Sequence, residues 1–382
     1  MKVRKILVIG GGIGGLTAII AFQQKGFDAH VYEATAQFEP VGRGIWMPPN
    51  AMQVFERLGI SDSVTEYGVS LKCVELKDRY NGVLVAHDLP RVKAKFGHSI
   101  VSIHRARLHR ILVEKIQPNT VHLDKRCIGF KPTTDKKIIA HFEDGTQAKG
   151  DVLIGADGIH STIRKILFPE VKLRYSGLTC YRGISDIELP RSLIQTCWEV
   201  WGGDVRFGFS PIGQREVYWF AVIVAPEGKE ELRGTLHDTV SLFCTHFPFP
   251  VLNIIEKTPE DDVIRTDLYD IPPVLRWSSD RVVLLGDAIH AMTPNTGQGG
   301  AQAIEDAFVL ANQLSVCQEV SEAFREYERL RAPRVNKIVN RSRLYGRLVH
   351  IRPYWLQKIR DGLIKSAPEW LKRKKIDELY IW

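Results

Sequence analysis

The stretch that decides the fold is KILVIGGGIGGL, residues 5–16 of a 382-residue chain. Its first five residues form an apolar run of the length and composition of a β-strand. Residues 16–24 then predict a helix, which ends at Gly26. A second apolar run at residues 29–32 predicts another strand and leads directly to an acid. The start of the chain is therefore expected to form a strand–turn–helix–strand unit.

The glycines between the first strand and the helix form a GxGxxG pattern at Gly10, Gly12 and Gly15. Glycines at this spacing permit a tight turn and let the backbone approach a pyrophosphate, which then sits at the helix N-terminus. Glu33 follows the second strand, where a carboxylate can accept hydrogen bonds from the hydroxyls of an adenosine ribose. Alone the pattern is weak evidence, but in this context it predicts a dinucleotide-binding site.

The composition is that of a folded chain with room for two domains, since 44% of residues are hydrophobic and 25% are charged. The scattered cysteines include no CxxC pair and no histidine–cysteine cluster, so we expect no disulfide framework, no metal site and a cytoplasmic location. Residues 6–22 are almost uncharged but contain five glycines, which favours strand, turn and helix over a membrane span. The sequence therefore predicts a protein without a transmembrane segment.

The net charge of +8 is unevenly distributed along the chain. Residues 325–382 hold 16 Lys/Arg against 6 Asp/Glu, so the excess of positive charge belongs to this segment. Arginines at helical spacing favour the interpretation of a solvated helical face; they are Arg331, Arg334, Arg341 and Arg347. A basic patch at a partner or membrane surface is the alternative, and interleaved aromatic residues support it. No nucleic-acid-binding motif accompanies the segment.

Two further strand–turn motifs follow later in the chain. A buried-type strand at residues 151–154 leads to Asp157-Gly158, and another at 281–285 leads to Gly286-Asp287. The second is followed by a glycine-rich stretch, residues 294–300, that opens a helix running to about position 314. A short carboxylate at the carboxyl edge of a sheet can accept hydrogen bonds from polyol hydroxyls, and a helix N-terminus stabilises negative charge beyond it.

These three signatures, in this order, resemble those of the class A FAD-dependent monooxygenases, the single-component flavoprotein aromatic hydroxylases. The resemblance implies an α/β fold: an FAD-binding, Rossmann-like three-layer domain, an inserted β-sheet substrate domain and a C-terminal helical extension. It also implies hydroxylation of a small aromatic or heteroaromatic compound with O₂ and NAD(P)H through a flavin C4a-hydroperoxide. FAD would be bound and NADPH or NADH would bind transiently, which fits the absence of a second GxGxxG unit.

The expected organisation is discontinuous, because the strand-rich part interrupts the dinucleotide-binding pattern. The predicted segments are 1–70, 101–174 and 273–324 for the FAD-binding domain, 71–100 and 175–272 for the substrate domain, and 325–382 for the basic extension.

The residues expected to bind the cofactor lie in the three motifs and in one arginine that the resemblance places near FAD. They are Gly10, Gly12, Ile13, Gly14, Gly15, Glu33, Arg105, Asp157, Gly286, Asp287, Pro294, Gly297, Gly299 and Gly300. The family often carries an acid two residues after that arginine, whereas this chain has Arg107, which we interpret as a surface residue. Because the flavin performs the chemistry, no catalytic side chain is assigned.

Residues 205–221 predict a β-hairpin with a three-residue turn at Pro211-Ile212-Gly213 and glycine at a position that needs positive φ. This register places Arg206 opposite Tyr218 on a polar face, with Phe207, Phe209 and Trp219 on the core face. The polar face either meets solvent or covers the flavin, where Arg206, Tyr218 and Arg43 are candidate contacts for an anionic or carbonyl-bearing ring.

Two other functions share the same motifs. The first is a flavin-dependent reductase or dehydrogenase of a polyprenyl or polyketide substrate, which would show no substrate-dependent oxygen uptake. The second is a non-enzymatic flavin module that senses redox state through the basic segment, which would bind FAD without accelerated oxidation of NAD(P)H.

Overall fold

The computed structural model describes residues 3–38, 43–229 and 235–381. Its strands are β1 (Lys5–Ile9), β2 (Asp28–Tyr32), β3 (Gly44–Met47), β4 (Val69–Ser70), β5 (Cys73–Asp78), β6 (Val83–Asp88), β7 (Val101–His104), β8 (Val121–His122), β9 (Cys127–Pro132), β10 (Ile138–Phe142), β11 (Gln147–Gly150), β12 (Val152–Gly155), β13 (Arg174–Asp186), β14 (Thr196–Gly202), β15 (Val205–Pro211), β16 (Glu216–Val224), β17 (Ile264–Asp270), β18 (Ser278–Ser279) and β19 (Val282–Leu284).

The helices are α1 (Ile13–Gln24), α2 (Pro49–Arg57), α3 (Ser61–Tyr67), α4 (Leu89–Phe96), α5 (Arg105–Glu114), α6 (Thr162–Leu167), α7 (Leu236–Cys244), α8 (Val251–Glu256), α9 (Asp287–His290), α10 (Gly299–Val316), α11 (Val320–Val349), α12 (Tyr354–Ser366) and α13 (Glu369–Tyr380). Short 3₁₀ turns at Glu260–Asp262 and Pro294–Thr296 complete the regular structure.

The molecule has two main bodies. A six-stranded sheet with the order β18-β19-β12-β1-β2-β8 forms the centre of the first body. All of its pairs are parallel except the edge pair β18–β19. Its central strands are almost fully buried because helices and a second sheet cover them, as expected for parallel strands. β1 lies between β2 and β12. The chain therefore continues from β1 to β2 on one side of it and later adds β12 on its other side. Ligands of open α/β sheets bind at such a switch point.

The layers around this sheet share one hydrophobic core. The antiparallel sheet β11-β10-β9 packs onto it through Phe142, whose ring stacks on Tyr32 with centroids 4.9 Å apart. The helices α1 and α10 pack against each other where Gly14 meets Ala303: a Cβ built on Gly14 would lie 3.1 Å from the Ala303 Cβ. The predicted mixed α/β architecture is therefore confirmed, and helix α1 begins at Ile13, three residues earlier than the sequence predicted.

A seven-stranded sheet, β17-β13-β16-β15-β14-β5-β6, forms the second main body of the molecule. It is antiparallel apart from the pair β14–β5. One face holds Phe207, Phe209 and Trp219, all fully buried in a core with residues of α7 and α8, as the sequence predicted. The opposite side of this sheet is turned toward the first body and carries Arg206 and Tyr218. A small sheet, β3-β7-β4, lies where the two bodies meet.

The basic segment is not a detached tail. Helix α11 begins at Val320 and runs across position 325, and its residues Tyr327, Val335 and Val339 are buried in the main core. Helices α12 and α13 follow it.

Neither a membrane-spanning helix nor a metal-binding cluster is found in the part of the chain that the structure describes. Within residues 3–38, 43–229 and 235–381, no helix is both long and apolar enough to cross a bilayer. The same residues contain no group of three or more His, Cys, Asp or Glu side chains arranged to hold a metal ion. The cysteines are free thiols, most of them buried.

Candidate functional site

The glycine-rich turn after β1 uses its glycines for different purposes. A Cβ built on Gly10, whose φ is +104°, would lie 2.4 Å from the Ala156 carbonyl oxygen, and one on Gly15 would lie 1.9 Å from the Gly10 oxygen. These glycines are needed for backbone packing. A Cβ on Gly12, in contrast, would meet no atom within 4 Å. The turn therefore leaves open space at Gly12, directly at the N-terminus of α1.

The N-terminus of α1 has no protein cap. Gly12 occupies the N-cap position without a capping side chain, and no acid lies in the first turn. Its amide groups are therefore available to a bound anion. The Ile13 side chain is buried in the core, so only its backbone can contribute to binding. Gly14 packs against α10 and faces away from this space.

Two side chains hold the Gly11 peptide in place. Its N–H donates to Glu33 Oε2 over 2.6 Å, and its carbonyl accepts from His109 Nε2 over 2.8 Å. Burial lowers the pKa of His109, which keeps the ring neutral with its proton on Nε2. Glu33 lies at the end of β2, at the position expected for ribose recognition. His109 was not predicted, since nothing in the local pattern of α5 distinguishes it.

The carboxylate of Asp287 lies beside the N-terminus of α10. Gly286, with φ +61°, ends the strand segment, and a Cβ built on Gly299 would lie 3.9 Å from Asp287 Oδ1. The Asp287 side chain is open to solvent on one side, and no described residue is hydrogen-bonded to it. Surrounding protein nevertheless desolvates it, which raises the pKa of the carboxyl, and His290 and Arg105 offset part of that rise. An unpartnered carboxylate in such a cleft suits a ligand that donates hydroxyl groups.

Helix α10 also begins without a cap. Its N-cap residue Gln298 uses its side-chain oxygen to accept from Asn50 Nδ2 at 3.0 Å and from Gln302 Nε2 at 2.9 Å. Gly297, with φ +63°, turns the chain out of the 3₁₀ turn that begins at Pro294. A Cβ on Gly300 would lie 3.2 Å from Ile45 Cδ1, so β3 approaches closely. Two uncapped helix N-termini thus lie along one edge of the parallel sheet, with Asp287 between strand and helix.

The remaining predicted cofactor residues lie at the same edge in different roles. Asp157 follows β12, and both of its oxygens are already used: Oδ1 accepts from Ser161 Oγ at 2.5 Å and Oδ2 from the Thr162 amide at 2.7 Å. It therefore caps α6. Arg105 is exposed and lies close enough to Asp287 to lower the pKa of its carboxyl. Its amide donates to the Arg43 carbonyl at 2.8 Å.

The hydrogen-bond donors and acceptors along this edge fit a flavin dinucleotide. Open space at Gly12 and free amides suit a pyrophosphate, Glu33 suits the adenosine ribose, and the unpartnered Asp287 suits a polyol chain.

We expect Asp287→Ala to raise the dissociation constant of FAD by roughly 10-fold to 150-fold, since hydrogen bonds to a charged group contribute about 1.5–3 kcal/mol. The apoprotein is expected to melt at the same or a higher temperature, because the variant removes a desolvated, unpartnered carboxylate. Flavin fluorescence titration and thermal melting of the apoprotein measure both effects. The exposed Asp238→Ala is the matched control, and an unchanged FAD affinity in Asp287→Ala would remove this residue from the cofactor site.

A buried ionic network supports the strand end that carries Asp287. Arg331 Nε donates to Asp306 Oδ1 at 2.7 Å, and its Nη1 pairs with Glu305 Oε2. Asp306 Oδ2 accepts from His290 Nε2 at 2.5 Å and from the Gly286 amide at 3.1 Å. Every one of these side chains is almost fully buried. The network therefore connects α11 through α10 to the Gly286 turn.

This network corrects the prediction of a solvated basic face on α11. Arg331 is only 2% exposed, and Arg334 pairs with Glu305 at 3.0 Å. The helical spacing of the arginines was right, but two of them point to buried acids of α10. Positive charge on a helix is neutralised here by a neighbouring helix and not by solvent.

The predicted register of the 205–221 hairpin is wrong. Arg206 pairs with Val222 and Tyr218 pairs with Ser210. The connection between β15 and β16 spans residues 212–215. It is closed by a hydrogen bond from the Ile212 amide to the Glu216 carbonyl at 2.9 Å. Gly213 does not adopt a positive φ. The partner of Arg206 thus lies four positions further along than predicted, an even number, so Arg206 and Tyr218 still share a face.

Arg107, interpreted as a surface residue, is partly exposed and in addition holds this connection. Its Nη1 donates to the Ile212 carbonyl at 3.1 Å, and its Nη2 pairs with Glu216 at 2.5 Å. The side chain is about one-third exposed.

The solvent-facing alternative for Arg206 is also wrong, since this residue is 2% exposed. Its Nη1 donates to Asn295 Oδ1 at 2.8 Å, and Glu199 lies 3.6 Å from its Nε. The rings of Phe220 and Tyr345 flank the guanidinium, with centroids 5.1 and 5.7 Å away. A ligand has no space over Gly208, because Phe220 fills it: the Phe220 ring lies 2.3 Å from an ideal Cβ there. Arg206 thus ties the seven-stranded sheet to the 3₁₀ turn before α10.

Tyr218 lies where β16 meets β3. Its ring packs on Gly44, where an ideal Cβ would lie 2.3 Å from it. Burial raises the pKa of Tyr218 to about 12, although the positive charges of Arg182 and Arg43 oppose this rise. The hydroxyl therefore stays protonated, and no described residue is hydrogen-bonded to it. Arg182, which sequence reasoning missed, donates from Nε to Cys180 Sγ at 3.2 Å.

Comparison with known proteins agrees with this geometry. A sequence profile described as an FAD binding domain matches residues 4–183 and 273–342. Aurachin C monooxygenase/isomerase of Stigmatella aurantiaca is 37% identical over 344 residues, which cover 90% of this chain and 89% of that protein. FAD-dependent urate hydroxylase of Klebsiella pneumoniae subsp. pneumoniae is 32% identical over 366 residues, 94% of each chain. The crystal structure of Klebsiella pneumoniae HpxO with FAD and uric acid superposes with a TM-score of 0.91 at 29% identity, covering 98% of this chain and 96% of that one.

Proposed function

Because this chain belongs to the class A FAD-dependent monooxygenase family, we propose that it hydroxylates a small aromatic or heteroaromatic compound with O₂ and NADH or NADPH. One oxygen atom enters a C–H bond of the substrate and the other leaves as water. The reduced nicotinamide supplies the two electrons and one proton, and a second proton comes from solvent. The observation that carries the proposal is the unpartnered Asp287 carboxylate beside the uncapped N-terminus of α10.

FAD, when bound, supplies the electron transfer and the oxygen activation. The residues proposed to hold it are Glu33 for the ribose, the amides after Gly12 for the pyrophosphate, and Asp287 for the ribityl chain. The amides at the start of α10 would stabilise negative charge on the ring system by about 0.3–1 kcal/mol, or more where partly buried. The family relationship supports FAD as the cofactor.

The substrate is proposed to lie between Tyr218 and the start of α10. Two arginines near Tyr218 give this region a positive character, which suits an anionic or carbonyl-bearing ring. The Tyr218 hydroxyl is the most direct candidate contact, and Arg43, which has interactions of its own, is a second. Arg206 is a less direct candidate, since its guanidinium already donates to Asn295 and contact with substrate would require Asn295 to move.

Aromatic side chains around this region limit the access of water. Trp46 lies against Gly297, where an ideal Cβ would be 3.4 Å from its ring, and Phe220 fills the space over Gly208. Exclusion of water strengthens the polar contacts to substrate and protects reactive species from hydrolysis. The chain's contribution to the reaction is therefore position, charge and a dry cavity.

Oxygen uptake with a substrate panel tests the proposal. The FAD-loaded protein is mixed with NADH or NADPH and with purines, phenols or quinolones, and isotopically labelled molecular oxygen reports incorporation. We expect one class to accelerate NAD(P)H oxidation with one labelled atom per product. Accelerated oxidation with no label in any product would indicate a reductase or dehydrogenase and overturn hydroxylation. Binding of FAD with no acceleration by any compound would favour the non-enzymatic alternative.

Tyr218→Phe is expected to keep its FAD and its melting temperature, because the lost hydroxyl has no partner among the described residues. Loss of one neutral hydrogen bond to substrate costs about 0.5–1.5 kcal/mol, so kcat/KM should fall roughly twofold to tenfold. Peroxide release per NAD(P)H should rise as positioning weakens. Steady-state kinetics and peroxide detection measure this, with the exposed Tyr67→Phe as control. Unchanged kinetics would place the substrate away from Tyr218.

A further inference from the structure

The most deeply buried side chains of helix α12 are polar, although Ile364 on the same side packs on a small hydrophobic cluster. The buried positions of the helix are Gln357 and Arg360, both polar, and Asp361 beside them is partly buried. Arg360 Nη1 donates to the Val349 carbonyl at 2.6 Å and to the Leu348 carbonyl at 3.1 Å. The polar side of the helix is therefore fixed to the protein by hydrogen bonds at the end of α11.

The opposite side of the helix exposes an apolar row, which we define as Trp355, Ile359 and Leu363. These residues lie four positions apart, so they stack along one side of the helix. They are 63%, 51% and 67% exposed, respectively. A surface helix normally directs such a row to the core, because burial of apolar area is favourable. A contiguous exposed apolar row of this kind marks a candidate interaction surface.

The charges around the apolar row are of one sign. The exposed charged residues of α12 are Lys358 and Lys365, whereas its acid, Asp361, is turned inward and pairs with Arg360 at 2.8 Å. On the next helix Trp370 is 65% exposed and lines a shallow depression with Arg373 and Lys374 but also with Asp377 and Glu378, so the charges of one sign are confined to α12. Exposed tryptophans with flanking lysines and arginines are typical of helices that lie in a membrane interface.

We propose that the exposed side of α12 docks on an anionic lipid bilayer. The apolar row enters the boundary between headgroups and acyl chains, and Lys358 and Lys365 contact lipid phosphates. A second copy of this chain fits less well, since symmetric pairing of two α12 surfaces would place these lysines against their own counterparts. Docking at a membrane goes beyond the proposed reaction and does not depend on it.

Vesicle flotation of the full-length, FAD-loaded protein tests this proposal. The vesicles contain either phosphatidylcholine alone or phosphatidylcholine mixed with phosphatidylglycerol. We expect binding to the mixed vesicles that is about tenfold or more tighter than to the neutral ones and that weakens with salt. The variant W355S/I359S/L363S should bind the mixed vesicles about tenfold or more weakly than the original chain. Lys358→Gln combined with Lys365→Gln should reduce both the affinity and its salt dependence.

A matched control removes three exposed apolar side chains elsewhere, in the variant L242S/L275S/V316S; these residues are 76%, 73% and 72% exposed. This variant should bind vesicles like the original chain. FAD content and melting temperature verify that each variant is folded. Absence of binding to anionic vesicles, or equal loss in the control, would overturn the proposal. A concentration-dependent dimer that W355S/I359S/L363S abolishes would assign the row to self-association instead.

Discussion

Gly12→Val is expected to give a folded protein that does not retain FAD. A side chain at this position meets no protein atom within 4 Å, so the apoprotein has room for it. The same space lies at the uncapped N-terminus of α1, where the pyrophosphate is proposed to bind. Loss of two charge-assisted hydrogen bonds at about 1.5–3 kcal/mol each corresponds to roughly 150-fold to 25 000-fold weaker binding. Flavin absorbance after purification and titration of the apoprotein measure the loss.

The matched control for this experiment is Gly362→Val. Gly362 also has open space around its Cβ position but lies on α12, away from the sheet edge. It should retain FAD fully, and both variants should melt as folded proteins. Full FAD occupancy in Gly12→Val would show that the pyrophosphate does not pass this turn.

Arg331→Met is expected to destabilise the protein by about 3–5 kcal/mol, because it leaves Glu305 and Asp306 buried without their main cation. This is a large part of the roughly 5–15 kcal/mol that stabilises a typical protein. Urea unfolding of the apoprotein measures the change. Arg329→Met on the same helix is the control, since that residue is 67% exposed and should alter stability by no more than about 0.5 kcal/mol. A change of similar size in both variants would contradict the role of the network.

The same network gives a defined pH dependence. Burial alone would raise the pKa of Asp306, but His290 and Arg331 outweigh it and lower the pKa to about 2. A carboxyl whose folded-state pKa is depressed stabilises the protein above its unfolded pKa of about 4 and loses this contribution as the pH falls toward 2. In Arg331→Met the slope of stability against pH in this window should be smaller. Unfolding curves between these pH values measure the difference.

The glycine turns could be predicted to within a few residues because their conformations are encoded locally. Strand β1 runs from Lys5 to Ile9, as predicted, and Gly10 adopts the positive φ that a tight turn demands. The Gly286 and Gly297 positions also have positive φ. At such positions the identity of the residue and the backbone conformation are directly linked.

The hairpin register could not be predicted in this way, because a distant residue sets it. The connection at residues 212–215 is held by Arg107, which lies 105 positions earlier in the chain. The sequence alone favoured the shorter turn with glycine in the left-handed region, and Gly213 does not adopt that conformation. Tertiary contact therefore overrode the local turn preference.

The partners of the α11 arginines also could not be predicted from the local pattern. A helical spacing of three or four predicts that residues share a side, but it is the same whether that side meets water or acids of another helix. The partners of Arg331 are Glu305 and Asp306, on α10. His109 and Asn295 were missed for a similar reason, since each acts through a contact with a distant strand or turn.

The order of the strands has a consequence for the way this protein is synthesised. β12 pairs with β1 on one side and with β19 on the other. The residues of β19, Val282–Leu284, come far later in the chain. At about 5–20 residues per second, the edge of β12 stays unpaired on the ribosome for roughly 6–26 s. The proposed cofactor site uses both Gly12 and Asp287, so a nascent chain is not expected to capture flavin until Asp287 and α10 have emerged. A ribosome pause between positions 155 and 284 should therefore promote aggregation, whereas a pause after α11 should not.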